Sequence, residues 1–110
     1  MSDQILKIKT DKVELESVVN IPENSSKLII FSHGSGSSRL SPRNNFVARE
    51  LQKHGLATVL VDLLTPQEDQ LYENRFDIDL LSERLAEVTV FFRTYPLTQT
   101  HKIGYFGAST

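Results

Sequence analysis

Ser109 lies in the run Gly104-Tyr105-Phe106-Gly107-Ala108-Ser109-Thr110, which reads as a strand entering a sharp turn of small residues. The run fits a serine nucleophile elbow, G-x-S-x-G, in which small neighbours let the backbone fold beneath a strained serine and present its hydroxyl. Gly107 and Ser109 take two of its fixed positions, and the last glycine position falls beyond residue 110. A plain small-residue turn after a strand would account for the same residues. A serine hydroxyl becomes a nucleophile when a base removes its proton, and the oxyanion formed by its attack on a carbonyl needs fixed donors. A second segment has the composition to supply them. Lys27-Leu28-Ile29-Ile30-Phe31-Ser32 is a short apolar run with no helical period, and it enters His33-Gly34-Ser35-Gly36-Ser37-Ser38. Glycine lets backbone N–H groups approach a reacting carbonyl, or a phosphate, closely. The loop lacks the Gly-Lys-Ser/Thr ending of a P-loop and the G-x-G-x-x-G spacing of a dinucleotide site, which disfavours phosphate.

The elements that must position these two loops are readable from pattern. Residues 4–10 and 13–21 alternate apolar and polar around Asp11-Lys12, which predicts an antiparallel pair of strands, and 27–32 form the third strand. Ser41 as N-cap, Pro42 at the first helical position and Gly55 after His54 predict a helix over 42–54 that ends with Leu56 folding back on Leu51. Its expected apolar face is Phe46, Val47 and Leu51. Ala57-Thr58-Val59-Leu60-Val61 is nearly all apolar, as suits a strand covered on both faces, so strand, helix and strand make a parallel crossover. Residues 63–76 read as a long polar connection, a binding loop or a solvated insertion. A helix over about 78–94 follows, capped by Asp77, with a core stripe of Ile78, Leu81, Leu85, Val88 and Phe92. Asp79, Glu83 and Glu87 line a second face, expected to be solvated or else to dock a basic partner. Residues 102–107 form the last strand.

Taken in order, five segments resemble the α/β hydrolases of dienelactone-hydrolase-like type. They are Phe31-Ser-His-Gly-Ser-Gly-Ser-Ser38, Ser41-Pro-Arg-Asn44, Val61-Asp-Leu-Leu-Thr-Pro66, Arg75-Phe-Asp-Ile78 and Gly104-Tyr-Phe-Gly-Ala-Ser109. The resemblance covers nearly all of the 110 residues but only the first half of the family's domain. It implies an α/β fold: a partial three-layer sandwich with an antiparallel start, then parallel strands with two crossover helices, ending at the nucleophile elbow. Residues 1–110 are accordingly expected to form a single incomplete domain, the N-terminal half. It implies a serine hydrolase of a carboxylic ester or lactone, with Ser109 as nucleophile and an oxyanion hole built from the N–H of Thr110 and one from Gly34 or Ser35. The family's chain order, Ser then Asp or Glu then His, would put both partners of Ser109 beyond Thr110. That leaves two alternatives for these residues: a non-catalytic interaction module, or one part of a split enzyme completed by a complementary C-terminal half. An unpaired edge at the last strand would favour self-association or that second half.

Among the three histidines, His101 stands at the far end of the last strand, roughly 25 Å from Ser109 at about 3.3 Å per residue, too far to be its base. His54 closes the first helix, where the C-terminal dipole favours it. His33 is at the active end and is expected to orient the oxyanion loop or, as the sharper role, to act as base. Asp62 is expected to cap the turn after its strand or to hold His33 or a loop hydroxyl. Arg43, with Asn44, opens a helix beside the loop and would either contact an anionic substrate or serve as an ordinary surface residue. Three histidines at 33, 54 and 101 form no metal-ligand spacing, and no metal or cofactor is implied. With 12 Lys and Arg against 14 Asp and Glu, the net charge of −2 gives no basic stripe for nucleic acid. No apolar run suggests a membrane span. The lack of cysteine excludes disulfides, and without the apolar core of a secretion signal near Met1 the expected location is cytoplasmic.

Overall fold

The computed structural model describes residues 3–33 and 39–108. Five strands, β1 (Gln4–Lys9), β2 (Glu14–Asn20), β3 (Lys27–His33), β4 (Ala57–Val61) and β5 (Lys102–Ala108), form one sheet in the order β1-β2-β4-β3-β5. β1 pairs with β2, and β2 with β4, antiparallel; β3 lies between β4 and β5, parallel to both. The chain therefore leaves β2, skips one position to lay down β3, and returns through helix α1 (Pro42–Lys53) to fill the gap with β4. The later helix α3 (Ile78–Thr94) carries it across to β5 on the other side of β3.

Side chains on β3 and β4 alternate between two covered faces, which is why these strands read as unbroken apolar runs. Leu28, Ile30, Ala57, Val59 and Val61 join Ile8, Leu15 and Val19 beneath Val88 and Phe92 of α3. Phe31 and Leu60 point the other way and pack with Ala48 of α1, with Ile29, Val47, Leu51 and Phe106 around them. The result is a sheet between two helical layers, the expected three-layer arrangement.

The helix signals act as their chemistry dictates. Ser41 Oγ accepts the N–H of Asn44 at 3.2 Å, and Pro42 occupies the first turn of α1. At the other end Gly55 takes φ +83°, its N–H bonds to Gln52 O at 2.9 Å, and the N–H of Leu56 bonds to Leu51 O at 3.1 Å, a Schellman ending. Phe46 departs from the expected face and is 66% exposed, whereas Asn44 and Ala48 are buried. At roughly 100° per residue, a face centred on positions 44, 48 and 51 leaves position 46 on the far side of the helix. In α3 the core stripe begins at Leu81; Ile78, one turn earlier, is 71% exposed. Arg84 shares the buried side of α3, at 3% exposure. On the acidic face, Asp79 and Glu83 are exposed, but Glu87 accepts the N–H of Asp11 at 2.8 Å and so docks the β1–β2 turn.

The connection between β4 and α3 is more ordered than a polar loop. It holds a short helix, α2 (Pro66–Asp69), and a 3-10 turn (Tyr72–Phe76). Thr65 and Glu68 form a reciprocal capping box, Thr65 Oγ1 accepting from Glu68 N at 3.2 Å and Glu68 Oε1 accepting from Thr65 N at 3.0 Å.

Candidate active site

Parallel pairing of β3 with β4 and β5 brings three carboxyl ends together at one edge of the sandwich. The register there is specific: His33 and Ala108 are partners on the last rung. Neighbouring strands lie about 4.8 Å apart, so His33 and Ala108, the last described residues before the two segments singled out by sequence, stand side by side. Gly34, Ser35, Ser109 and Thr110 themselves lie outside the described residues, and His33 is placed by its backbone as the end of β3. At Gly107 an added Cβ would lie 3.7 Å from Ser32 O and Oγ, so no contact among the described residues compels a glycine there.

Asp62 is the first residue beyond β4 at this same end. Its backbone N–H bonds to Glu16 O at 3.0 Å, which continues the sheet ladder by one residue. Its carboxylate turns to Arg39: Oδ1 accepts the backbone N–H of Arg39 at 3.0 Å and Oδ2 accepts Nε at 2.8 Å. The Arg39 guanidinium also reaches Glu16 on β2, with Nη2 2.9 Å from Oε1. Asn45 in the first turn of α1 donates to the carbonyl oxygens of Arg39, at 3.1 Å, and Ser41, at 2.9 Å. Arg39 was not among the residues singled out from sequence, because a lone arginine in a polar stretch carries no local signal. Beside this cluster opens a cleft of about 200 Å³, walled by Leu40, Leu64 and Asp69 together with Glu16, Arg39 and Asp62. Arg43 is exposed on the first turn of α1, and its neighbour Asn44 is buried, only 1% accessible.

A second arginine holds the connection after β4. Arg84 reaches from α3 to place Nη1 2.8 Å from Glu68 Oε1 and Nη2 2.6 Å from Oε2, and Nη1 also donates to Leu63 O at 3.1 Å. The bidentate hydrogen bond from Arg84, aided by the Thr65 donors, outweighs burial and pulls the Glu68 carboxyl from 4.5 down to about 2.

The remaining histidines sit where sequence put them. His101 precedes β5 at the opposite edge, where Lys27 pairs with Lys102, and its Nε2 lies 2.9 Å from Ser25 Oγ. His54 is the C-cap of α1, exposed, with Nδ1 donating to Glu50 O at 2.9 Å. Among the described residues no three His, Asp or Glu side chains gather in a metal-binding arrangement, and no helix is long and apolar enough to cross a membrane.

A mixed sheet with this strand order and helices on both faces is that of an α/β-hydrolase fold, and the chain matches part of such a domain. The dienelactone hydrolase of Anabaena variabilis is 44% identical and superposes with a TM-score of 0.94 over 99% of this chain and 52% of its own. Est1E from Butyrivibrio proteoclasticus, at 16% identity and TM-score 0.71 over 96% of this chain and 40% of its own, shares the fold. Two Mycobacterium tuberculosis proteins, from strains CDC 1551 and H37Rv, are each 44% identical over all 110 residues and bear the name "Putative phosphoribosyl transferase". The chain spans about a quarter of their length, 25%, and about half of the dienelactone hydrolase, 52%. No protein-family model matches it.

Proposed function

We propose that this chain carries the nucleophile and oxyanion hole of a serine hydrolase that acts on a carboxylic ester or lactone. The pairing of His33 with Ala108 carries the reading, because it starts the Gly/Ser loop and the serine turn from adjacent strands on one rung. In the reaction, Ser109 Oγ attacks the carbonyl carbon while its proton passes to a histidine base supplied from outside these residues. The oxyanion receives hydrogen bonds from the N–H of Thr110 and of Gly34 or Ser35. Collapse expels the alcohol, protonated by the same base, and leaves an acyl group on Ser109. Water then attacks that ester to release the acid and restore the hydroxyl. The name carried by the M. tuberculosis relatives describes proteins of which three quarters lies outside the matched region. The hydrolase reading concerns the matched quarter.

The test is hydrolysis of short-chain p-nitrophenyl esters and simple lactones by the full-length protein. Ser109→Ala is expected to lower kcat by about a thousandfold or more. Activity retained in Ser109→Ala would overturn the assignment.

A further inference from the structure

We propose that residues 66–76 form a strap that opens as one unit from the carboxyl end of the sheet, latched shut by the grip of Arg84 on Glu68. Burial does not hold this segment down. No side chain of α2 or of the 3-10 turn is buried, and Leu71, Tyr72 and Phe76 are 56%, 69% and 50% exposed. A segment with few buried apolar contacts opens locally, at a lower cost than the fold that carries it. The strap is nevertheless bonded to itself. Asn74 Nδ2 donates to Glu68 O at 2.8 Å and Arg75 Nε donates to Asp69 Oδ1 at 2.8 Å, which ties the 3-10 turn to α2. The Arg75 guanidinium also lies 5.9 Å from the centre of the Tyr72 ring, and the Tyr72 and Phe76 rings are 5.1 Å apart. A helix of four residues does not persist alone in water, so undocking and melting are one event for the whole segment. The chain on either side is held differently: Leu63, 6% exposed, joins Val88 and Phe92 in the core, and Asp77 accepts the N–H of Leu80 at 3.1 Å as the cap of α3. Between these fixed points Arg84, its side chain 4% exposed, takes both oxygens of Glu68. An arginine buried to that degree is costly to leave without its carboxylate, which keeps the strap closed most of the time. Thr65, Pro66 and Asp69 wall the cleft of about 200 Å³ beside Arg39. Opening the strap removes that wall, so the latch sets how often a molecule too large for the closed cleft enters it.

Amide hydrogen exchange of the full-length protein, followed through a series of low denaturant concentrations, separates local opening from global unfolding. The N–H groups of Asp69, Gln70, Leu71 and Asn74 bond to the carbonyl oxygens of Thr65, Gln67, Glu68 and Leu71, so each reports on the strap. These four are expected to exchange at one shared opening, with little dependence on denaturant, about 10- to 1000-fold faster than the paired N–H groups of β3 and β4. Exchange in β3 and β4 should instead rise steeply with denaturant, because it needs the exposure of the core. Glu68→Gln keeps an acceptor oxygen and removes the charge that Arg84 holds. It should speed the four strap amides by about tenfold or more, and by more than it speeds β3 and β4. Four amides that share the denaturant dependence of β3 and β4 would overturn the strap, because it would then open only with the whole fold. Four amides that open independently of one another would overturn it as well, and so would a Glu68→Gln effect no larger in the strap than in the sheet. The denaturant series needs wild-type protein alone, so it decides even if Glu68→Gln does not fold. Exchange is read without turnover, so the outcome is independent of the chemistry assigned to Ser109.

Discussion

Two arginine–carboxylate clamps lie near the carboxyl end of the parallel strands, one between Arg39 and Asp62 and one between Arg84 and Glu68, and their arginines differ in how far each is removed from water. Arg84 is fully committed: its side chain is 4% exposed, against 25% for Glu68, and the pair is bidentate. Arg39 stays nearer to solvent, its side chain 30% exposed, and divides its guanidinium between Asp62 and Glu16. A buried guanidinium needs its partner, since the cost of its desolvation persists when the partner goes. A half-exposed one is resolvated when its partner is lost, and such pairs contribute little to stability. The Arg84 clamp therefore belongs to the fold, where it fixes α2 beneath the end of β4. The Arg39 clamp, nearer to solvent and shared between two carboxylates, contributes less to it.

That contrast can be broken from the stability side. Glu68→Ala strands the Arg84 charge and also removes half of the Thr65 capping box, and it is expected to lower the unfolding free energy by about 3–5 kcal/mol. Glu16→Ala, which removes the exposed partner of the Arg39 guanidinium and leaves that group to solvent and Asp62, should cost about 1 kcal/mol or less by the same chemical denaturation. Equal costs would erase the distinction.

Acid should sharpen it further. Because the folded-state pKa of Glu68 lies below its ordinary value, at about 2 against 4.5, the stability it contributes is fully present above the ordinary value. That contribution is lost as pH falls from 4.5 towards 2. Thermal midpoints should therefore drop over that interval in wild type, and Glu68→Gln should flatten this part of the profile. An unaltered slope in Glu68→Gln would assign the acid sensitivity to other carboxylates.

The same contrast marks what sequence could show. Features set by neighbours along the chain were legible: the alternation of β1 and β2, the apolar runs of β3 and β4, the Ser41 and Asp77 caps, and the Gly55 ending all stand as read. α2 was legible in principle, because Thr65-Pro66-Gln67-Glu68 has the spacing of a capping box with proline at the first helical position. Four residues nevertheless give no apolar period to count, so the segment reads as loop. The clamps were not legible. Arg84 occupies the stripe with Val88 and Phe92 at i, i+4 spacing, yet an arginine on that face looks like a break in the pattern until Glu68, 16 residues earlier, folds over it. Arg39 and Asp62 are 23 residues apart and meet only because β4 lies next to β3. Ser109, which lies outside the described residues, is singled out in the opposite way, from the small residues around it and from the Gly/Ser run that precedes it along the chain. What the fold adds is the rung that joins those two segments.

The most direct test of that joining is the mass of the full-length protein before and after reaction with a serine-directed fluorophosphonate, with peptide mapping and Ser109→Ala as control. A single adduct that maps to Ser109 and is absent from the variant is the result expected of an activated serine beside an oxyanion hole. A folded wild-type protein that takes no adduct at Ser109, or takes the same adduct after Ser109→Ala, would contradict it.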